Sequence, residues 1–193
     1  MLSDKDFIDL GLSDELVVAA GNQYDKASQV QAACIPHIIG RVPGQERRDL
    51  GPSIPLVQRA NAICQAPAGQ GKTATFCFSA LQVLMDNMKN GQVQAVPQVL
   101  IISHNHNLSN QSRTAVQTYL EDAKLDRQGA NNAVRVLPDN GKSFTEATIN
   151  HEVDFLYDGR SSLTKMFGAK CPQIICGPPH QIYKVAKHHK DSA

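Results

Sequence analysis

With 193 residues, of which 41% are hydrophobic and 19% charged, the chain has the size and composition of an ordinary globular domain. Its formal net charge of +1 excludes a strongly basic surface, so any nucleic-acid contact has to come from a local patch. No run approaches the roughly 20 apolar residues that span a bilayer, and the acidic N-terminus lacks the apolar region of a signal peptide. The five scattered cysteines, none in a CxxC pair, indicate free thiols in a reducing compartment, so an intracellular location, cytoplasmic or nuclear, is expected.

Strand-like apolar runs alternate with helical patterns along the chain. Continuous apolar runs are typical of parallel strands covered on both faces, so the alternation predicts an α/β fold with a parallel sheet flanked by helices. Asn107 is the expected N-cap of the fourth helix, and segments 40–55 and 139–169 are expected to be a long surface loop and an irregular stretch. The predicted strands are 61–65, 98–103, 133–137 and 173–176, and the predicted helices are 12–20, 26–39, 71–88, 108–123 and 179–187.

The most specific motif is Ala-Pro-Ala-Gly-Gln-Gly-Lys-Thr at residues 66–73, the P-loop segment, which lies between a predicted strand and a predicted helix. In a P-loop, backbone N–H groups of a curled loop and of a helix N-terminus bind phosphate oxygens. Lys72 is the expected catalytic residue, because it would place a positive charge at the β- and γ-phosphates, and Thr73 would offer Mg²⁺ a hydroxyl ligand. The expected nucleotide-binding residues of this segment are Ala66, Pro67, Ala68, Gly69, Gln70, Gly71, Lys72 and Thr73.

A second group of residues precedes the P-loop segment. Residues 24–31 read Tyr-Asp-Lys-Ala-Ser-Gln-Val-Gln, and Phe7 lies seventeen positions before Tyr24. Together with residues 66–73, this pattern resembles the first RecA-like lobe of DEAD-box RNA helicases, whose Q motif has an aromatic, a hydroxyl, an aliphatic and a glutamine residue at these positions. The family's glycine and proline are absent here. We call residues 24–31 the Q-motif segment.

The resemblance implies ATP and Mg²⁺ as cofactors. Gln31, whose amide both donates and accepts hydrogen bonds, would read the N6/N7 edge of adenine, and Tyr24 would stack on the base. Phe7, Tyr24, Lys26 and Gln31 are therefore expected to join the P-loop segment in binding nucleotide. The resemblance also implies RNA and a second RecA-like lobe as partners, together with ribonucleoprotein components and no membrane.

Two departures from the family pattern fall on the motifs that grip RNA. Residues 104–108 read His-Asn-His-Asn-Leu where the family has Pro-Thr-Arg-Glu-Leu, and residues 178–181 read Pro-Pro-His-Gln where it has Thr-Pro-Gly-Arg. Both arginines are replaced, by His106 and Gln181, and neither replacement offers the fixed, charged fork that binds phosphate. RNA binding through this lobe is therefore expected to be weak. A metal pair at His104 and His106 is not favoured, because no third ligand accompanies it.

The sequence contains no Asp-Glu-x-Asp after Cys176, so residues 1–193 are interpreted as one ATP-binding lobe that is incomplete at its C-terminal end and inactive alone. The expected function is that of the ATP-binding lobe of an ATP-dependent RNA helicase. One alternative is a nucleotide-binding scaffold in a ribonucleoprotein complex, which the lost arginines favour. Another is a P-loop ATPase or kinase outside the helicases, against which the spacing of Phe7, Tyr24 and Gln31 counts.

Overall fold

The structure is a computed structural model that describes residues 2–40, 61–89, 98–124, 134–136 and 174–192. Its elements, in chain order, are a 3₁₀ helix (Phe7–Leu10), α1 (Asp14–Gln23), α2 (Gln29–Ile39), α3 (Lys72–Lys89), β1 (Val99–Ile102), α4 (His106–Asp122), β2 (Val134–Val136), β3 (Ile174–Gly177) and α5 (Pro179–Ser192). The five predicted α-helices are confirmed, with ends that differ by a few residues. The irregular stretch over 139–169 lies outside the described residues, and so does the predicted loop over 40–55 apart from Gly40, which ends α2.

The N-terminus of α4 corrects one expectation. The helix begins at His106, and the Leu108 N–H donates to Asn105 Oδ1 at 3.0 Å. Asn105 therefore caps α4, and the prediction of Asn107 as the N-cap is wrong because Asn107 already lies in the first helical turn.

The predicted strand over residues 61–65 is also wrong. Residues 61–67 have no regular secondary structure, and Ile63 is 100% exposed. The apolar run there is only three residues long, and neither described strand pairing includes it, so its backbone gains no ladder hydrogen bonds. The P-loop segment is thus preceded by residues without regular secondary structure.

The chain divides into two compact units, Met1–Gln92 with Thr118–Leu125, and Val93–Gln117 with Asp126–Ala193. The first unit has a helical core in which α2 packs on α3. Large apolar side chains that are at most 2% exposed fill it, among them Leu10, Leu16, Ile35 and Phe78. Ser28 begins α2 with a reciprocal capping box in which Gln31 is the second member, and Gly40 ends the helix in the left-handed conformation (φ 74°).

The second unit contains a parallel sheet with the strand order β1–β3–β2. All four residues of the central strand β3 are buried, as expected for a parallel strand covered on both faces. Strand β1 differs, because Leu100 and Ile102 are 49% and 59% exposed. Helices α4 and α5 follow the carboxyl ends of β1 and β3, which are neighbours in the sheet. Among the described residues, no helix has both the length and the apolar character required to cross a bilayer.

Candidate nucleotide-binding site

The P-loop segment is a tight turn that leads directly into α3. Gly69 and Gly71 have φ values of +77° and +79°, in the left-handed region that side chains with a Cβ resist. The helix starts at Lys72, so the N–H groups of its first turn have no intrahelical acceptor, and Ala68, Gly69 and Thr73 are exposed beside them. An exposed turn of amides at the positive end of a helix dipole is suited to bind an anion.

Lys72 is folded back over its own loop. Its Nζ donates to the carbonyl oxygens of Ala66 at 2.5 Å and Pro67 at 2.6 Å. The positive charge of the ammonium group is stabilised by the partial negative charges of these two carbonyl oxygens. A phosphate that binds Lys72 would therefore replace these two contacts. Thr73, the expected metal ligand, is an exposed residue.

The Q-motif segment and the P-loop segment are in direct contact within the first unit. Ser28 Oγ accepts a hydrogen bond from Gln31 N at 3.3 Å and donates to the Gln70 carbonyl at 2.8 Å. Gln31 Oε1 in turn accepts from Ser28 N at 2.8 Å. At Gly71, a Cβ would lie only 2.5 Å from Gln31 Nε2 and 3.5 Å from Ser28 Oγ. The cap of α2 thus supports the turn of the P-loop segment.

Gln31 is only 1% exposed. Its carboxamide lies between the α2 cap and Gly71. The spacing Ser-x-x-Gln is the sequence signature of a capping box and marks the start of α2 at Ser28. The hydrogen bond from Ser28 to Gln70 has no such sequence signal.

Tyr24 belongs to a cluster of four aromatic rings in the first unit. Its ring centroid lies 6.0 Å from Phe7 and 6.5 Å from Phe78, and Phe78 stacks on Tyr119 at 4.2 Å. The hydroxyls of Tyr24 and Tyr119 form a 2.8 Å hydrogen bond. Burial, followed by this hydrogen bond, raises the pKa of Tyr119 above its ordinary value.

Tyr24 is partly exposed, whereas Phe7 is 4% exposed and lies in the core. The structure thus places Phe7 as a packing partner of Tyr24. Sequence reasoning missed Tyr119, which lies 95 positions from Tyr24 and carries no local signal.

Lys26 points to the N-terminal segment. Its Nζ lies 2.8 Å from Asp6 Oδ1, and both side chains are about half exposed. The hydrogen bond and the charge of Asp6 raise the pKa of Lys26 above its ordinary value. Exposed pairs of this kind contribute little to stability, so Lys26 can exchange Asp6 for another anion at small cost.

The two positions where the family has arginine, Gln181 and His106, lie in the second unit and differ in exposure. Gln181 is 2% exposed, and its Oε1 has no hydrogen-bond partner among the described residues. His106 begins α4 and is partly exposed, but its Nδ1 is likewise buried and without a partner in the described part of the chain. Gln181 is therefore a core residue, although the motif in which it replaces the family's arginine is one that grips RNA.

Residues 28–191 match the family model of the DEAD/DEAH box helicases. The chain is 31% identical to the ATP-dependent RNA helicase eIF4A of Yarrowia lipolytica over 121 residues. This alignment covers 62% of this chain and 25% of the relative. It is 30% identical over 114 residues to the ATP-dependent RNA helicase DeaD of Escherichia coli K12, covering 58% of this chain and 14% of the relative. The chain thus spans a quarter or less of the length of these curated relatives.

Among solved structures, a Saccharomyces cerevisiae Dbp5 variant bound to a Gle1 variant and IP6 is similar with a TM-score of 0.59 at 20% identity, over 97% of this chain and 35% of that one. Dbp5 bound to RNA and ADP BeF3 gives a TM-score of 0.56 at 20% identity, over 95% of this chain and 34% of that one. These likenesses show the fold, which is α/β and RecA-like, with a parallel sheet flanked by helices. Since the family model covers more than half of the sequence, this chain belongs to the DEAD/DEAH box helicase family.

Proposed function

We propose that residues 1–193 form the ATP-binding lobe of an ATP-dependent RNA helicase that acts on RNA or on a ribonucleoprotein. In this proposal the lobe binds the nucleotide, and a second RecA-like lobe completes the site for hydrolysis. The relatives named above are described as ATP-dependent RNA helicases, which supports the substrate class.

One observation carries the proposal: the Q-motif segment and the P-loop segment touch. The hydrogen bond from Ser28 to the Gln70 carbonyl and the packing of Gln31 against Gly71 bring a candidate base-reading group to a candidate phosphate-binding loop. Residues separated by about 40 positions in the sequence thus lie side by side, which supports a site for a ligand with a base at one end and phosphates at the other.

The donor set fits a nucleotide with its metal. Bound ATP with Mg²⁺ would supply the phosphoanhydride bond and the cation that offsets its charge. The backbone amides from Gly69 to Thr73 would bind the phosphate oxygens, and Thr73 Oγ1 would be the protein's ligand for the metal. Lys72 would exchange the Ala66 and Pro67 carbonyls for phosphate, which is a stronger, charge-assisted partner.

The base would lie beside Tyr24, whose ring is partly exposed and oriented by Phe7 and by the Tyr119 hydroxyl. Because Gln31 is almost wholly buried against Gly71, its amide reaches adenine only if the P-loop segment moves away when it releases Lys72. We therefore infer that nucleotide binding opens the loop.

The test is a calorimetric titration of ATP with Mg²⁺ into the wild-type chain and the Lys72→Ala variant. Loss of one charge-assisted phosphate contact is expected to cost about 1.5–3 kcal/mol, which weakens binding tenfold or more. Lys5→Ala, which removes an equal charge from the same unit outside both segments, is the control and is expected to bind as the wild type does. Equal affinities of the wild type and Lys72→Ala would refute the assignment.

A second candidate function, a nucleotide-responsive scaffold without unwinding, is favoured by the burial of Gln181 at a position where the family grips RNA. The two candidates differ in hydrolysis. A helicase lobe is expected to support RNA-stimulated ATP hydrolysis and duplex unwinding once a second lobe is supplied, whereas a scaffold binds nucleotide and shows neither.

A further inference from the structure

The last turn of α4 contacts the start of the Q-motif segment through two side chains. The hydroxyls of Tyr119 and Tyr24 form a 2.8 Å hydrogen bond. One residue earlier in the chain, Gln23 Nε2 donates to Asp122 Oδ2 at 2.7 Å. Tyr119 and Asp122 are three positions apart on α4 and therefore lie on the same face of the helix. All four residues belong to the first compact unit, so one helix turn holds two consecutive residues at the edge of the candidate site.

The contact at Asp122 depends on a residue in which this sequence departs from the family pattern. Gln23 occupies the position at which the family's Q motif has a glycine, and a glycine has no side chain that could reach Asp122. Gln23 is also the last residue of α1, and the next residue is Tyr24. The hydrogen bond to Asp122 therefore restrains the backbone that leads into Tyr24.

Tyr119 is itself held by the helix that the P-loop segment begins. Its ring stacks on Phe78, with centroids 4.2 Å apart and planes 21° apart, and Tyr119 is only 4% exposed. Phe78 lies six residues after Lys72 on α3, which corresponds to a rise of about 9 Å along the helix axis. The same helix thus carries Lys72 and supports the ring whose hydroxyl contacts Tyr24.

We propose that Tyr119 and Asp122 are positioning residues of the nucleotide site, which hold Tyr24 in the orientation in which its ring stacks on the base. The proposal rests on the proposed function, in which Tyr24 contacts the base and the P-loop segment contacts the phosphates. A ring that is oriented before binding loses less conformational freedom when the base stacks on it. The two residues are therefore expected to affect the binding of the base and not the binding of the phosphates.

The experiment compares the affinities of the 193-residue chain for ATP and for tripolyphosphate, both with Mg²⁺, by calorimetric titration. Tripolyphosphate has the phosphates without a base. Tyr119→Phe keeps the ring on Phe78 and removes only the hydroxyl. It is expected to bind ATP about three- to tenfold more weakly and to bind tripolyphosphate as the wild type does. Tyr183→Phe, which removes the hydroxyl of an exposed tyrosine in the second unit, is the control and should bind both ligands as the wild type does.

The contribution of Asp122 is measured in the same assay. Asp122→Ala is expected to weaken ATP binding by about two- to threefold without weakening tripolyphosphate binding. Asp122→Asn should bind ATP more tightly than Asp122→Ala, because its Oδ1 can still accept from Gln23 Nε2. Glu121→Ala removes an equal charge from the neighbouring exposed residue. If Glu121→Ala weakens ATP binding as much as Asp122→Ala, the effect is one of charge and the role of Asp122 is refuted.

A double variant separates positioning from a general loss of structure. If the hydroxyl contact orients Tyr24, then Tyr24→Phe should weaken ATP binding about as much as Tyr119→Phe, and the two substitutions together should add little to either one. Unchanged ATP affinity in Tyr119→Phe, or an equal loss for ATP and tripolyphosphate, would overturn the proposal and leave the proposed function intact. If the wild type binds neither ligand, the proposed function fails and the positioning role fails with it.

Discussion

Gln31 Nε2 occupies the space that a side chain on Gly71 would need: a Cβ at position 71 would lie 2.5 Å from it. Gly71 therefore has two reasons to be glycine, its φ of +79° and this contact. Gly69 has only the first, because its φ is +77° and nothing lies within 4 Å of a Cβ built there. The two positions form a matched pair.

Gly69→Ala is expected to cost about 1–2 kcal/mol, the usual strain of a left-handed residue with a Cβ. Gly71→Ala is expected to cost at least about 1 kcal/mol more, because Gln31 must move and give up its hydrogen bond with Ser28 N. Urea unfolding of both variants measures the difference. Gly21→Ala, in α1 and with nothing within 4 Å, is the control and should not destabilise the chain. Equal costs at positions 69 and 71 would show that Gln31 does not restrain the loop.

The hydrogen bond between Tyr24 and Tyr119 is expected to show coupling in a double-mutant cycle. Tyr119 is 4% exposed, so Tyr24→Phe leaves a buried hydroxyl without its 2.8 Å partner, at a cost of about 1–3 kcal/mol. Adding Tyr119→Phe removes the stranded hydroxyl, and the double variant should be less destabilised than the sum of the single variants. Additive free energies of unfolding would contradict the contact.

Position 181 and position 106 are expected to respond differently to arginine. Gln181→Arg places an unpaired guanidinium in the core and should cost several kcal/mol, whereas Gln181→Met, similar in size and uncharged, should cost far less. Chemical denaturation of the two variants checks this. Comparable stability of Gln181→Arg and the wild type would mean that the side chain reaches the surface.

His106→Arg introduces its charge at the partly exposed first residue of α4 and should leave the chain folded. If the lobe keeps the family's RNA path, this variant should bind single-stranded RNA more tightly, with a salt slope steeper by about 0.7 for one added phosphate contact. Asn107→Arg, on the neighbouring exposed residue, controls for charge alone. An equal gain from both variants would show a non-specific effect.

The local motifs were predictable from sequence, whereas long-range contacts were not. The P-loop segment is recognisable because its motif consists of eight consecutive residues, and Gly69 and Gly71 have the left-handed φ values that a tight glycine turn requires. Phosphate binding by the segment stays a prediction. The strand at 61–65 failed because a three-residue apolar run cannot indicate whether a neighbouring strand is present. The contact of Tyr119 with Tyr24 has no local sequence pattern, since the two residues lie 95 positions apart in the chain.

Gln181 shows the limit of reasoning from a family motif. The motif shows that Gln181 replaces an arginine that grips RNA in the family, but it does not show that the Gln181 side chain is buried at the start of α5. A family motif predicts where a residue lies in the fold, but it does not predict how exposed the side chain is once the residue type has changed.

The Q-motif and P-loop segments are proposed to form one site for an adenine nucleotide. Competition between ATP and GTP for the wild-type chain and for Gln31→Ala tests this site. We expect the wild type to prefer ATP, because adenine presents an N6 amino donor where guanine presents the O6 acceptor. Gln31→Ala should lose that preference while it still binds both nucleotides through the phosphates. Equal competition by GTP and ATP in the wild type would contradict this proposal.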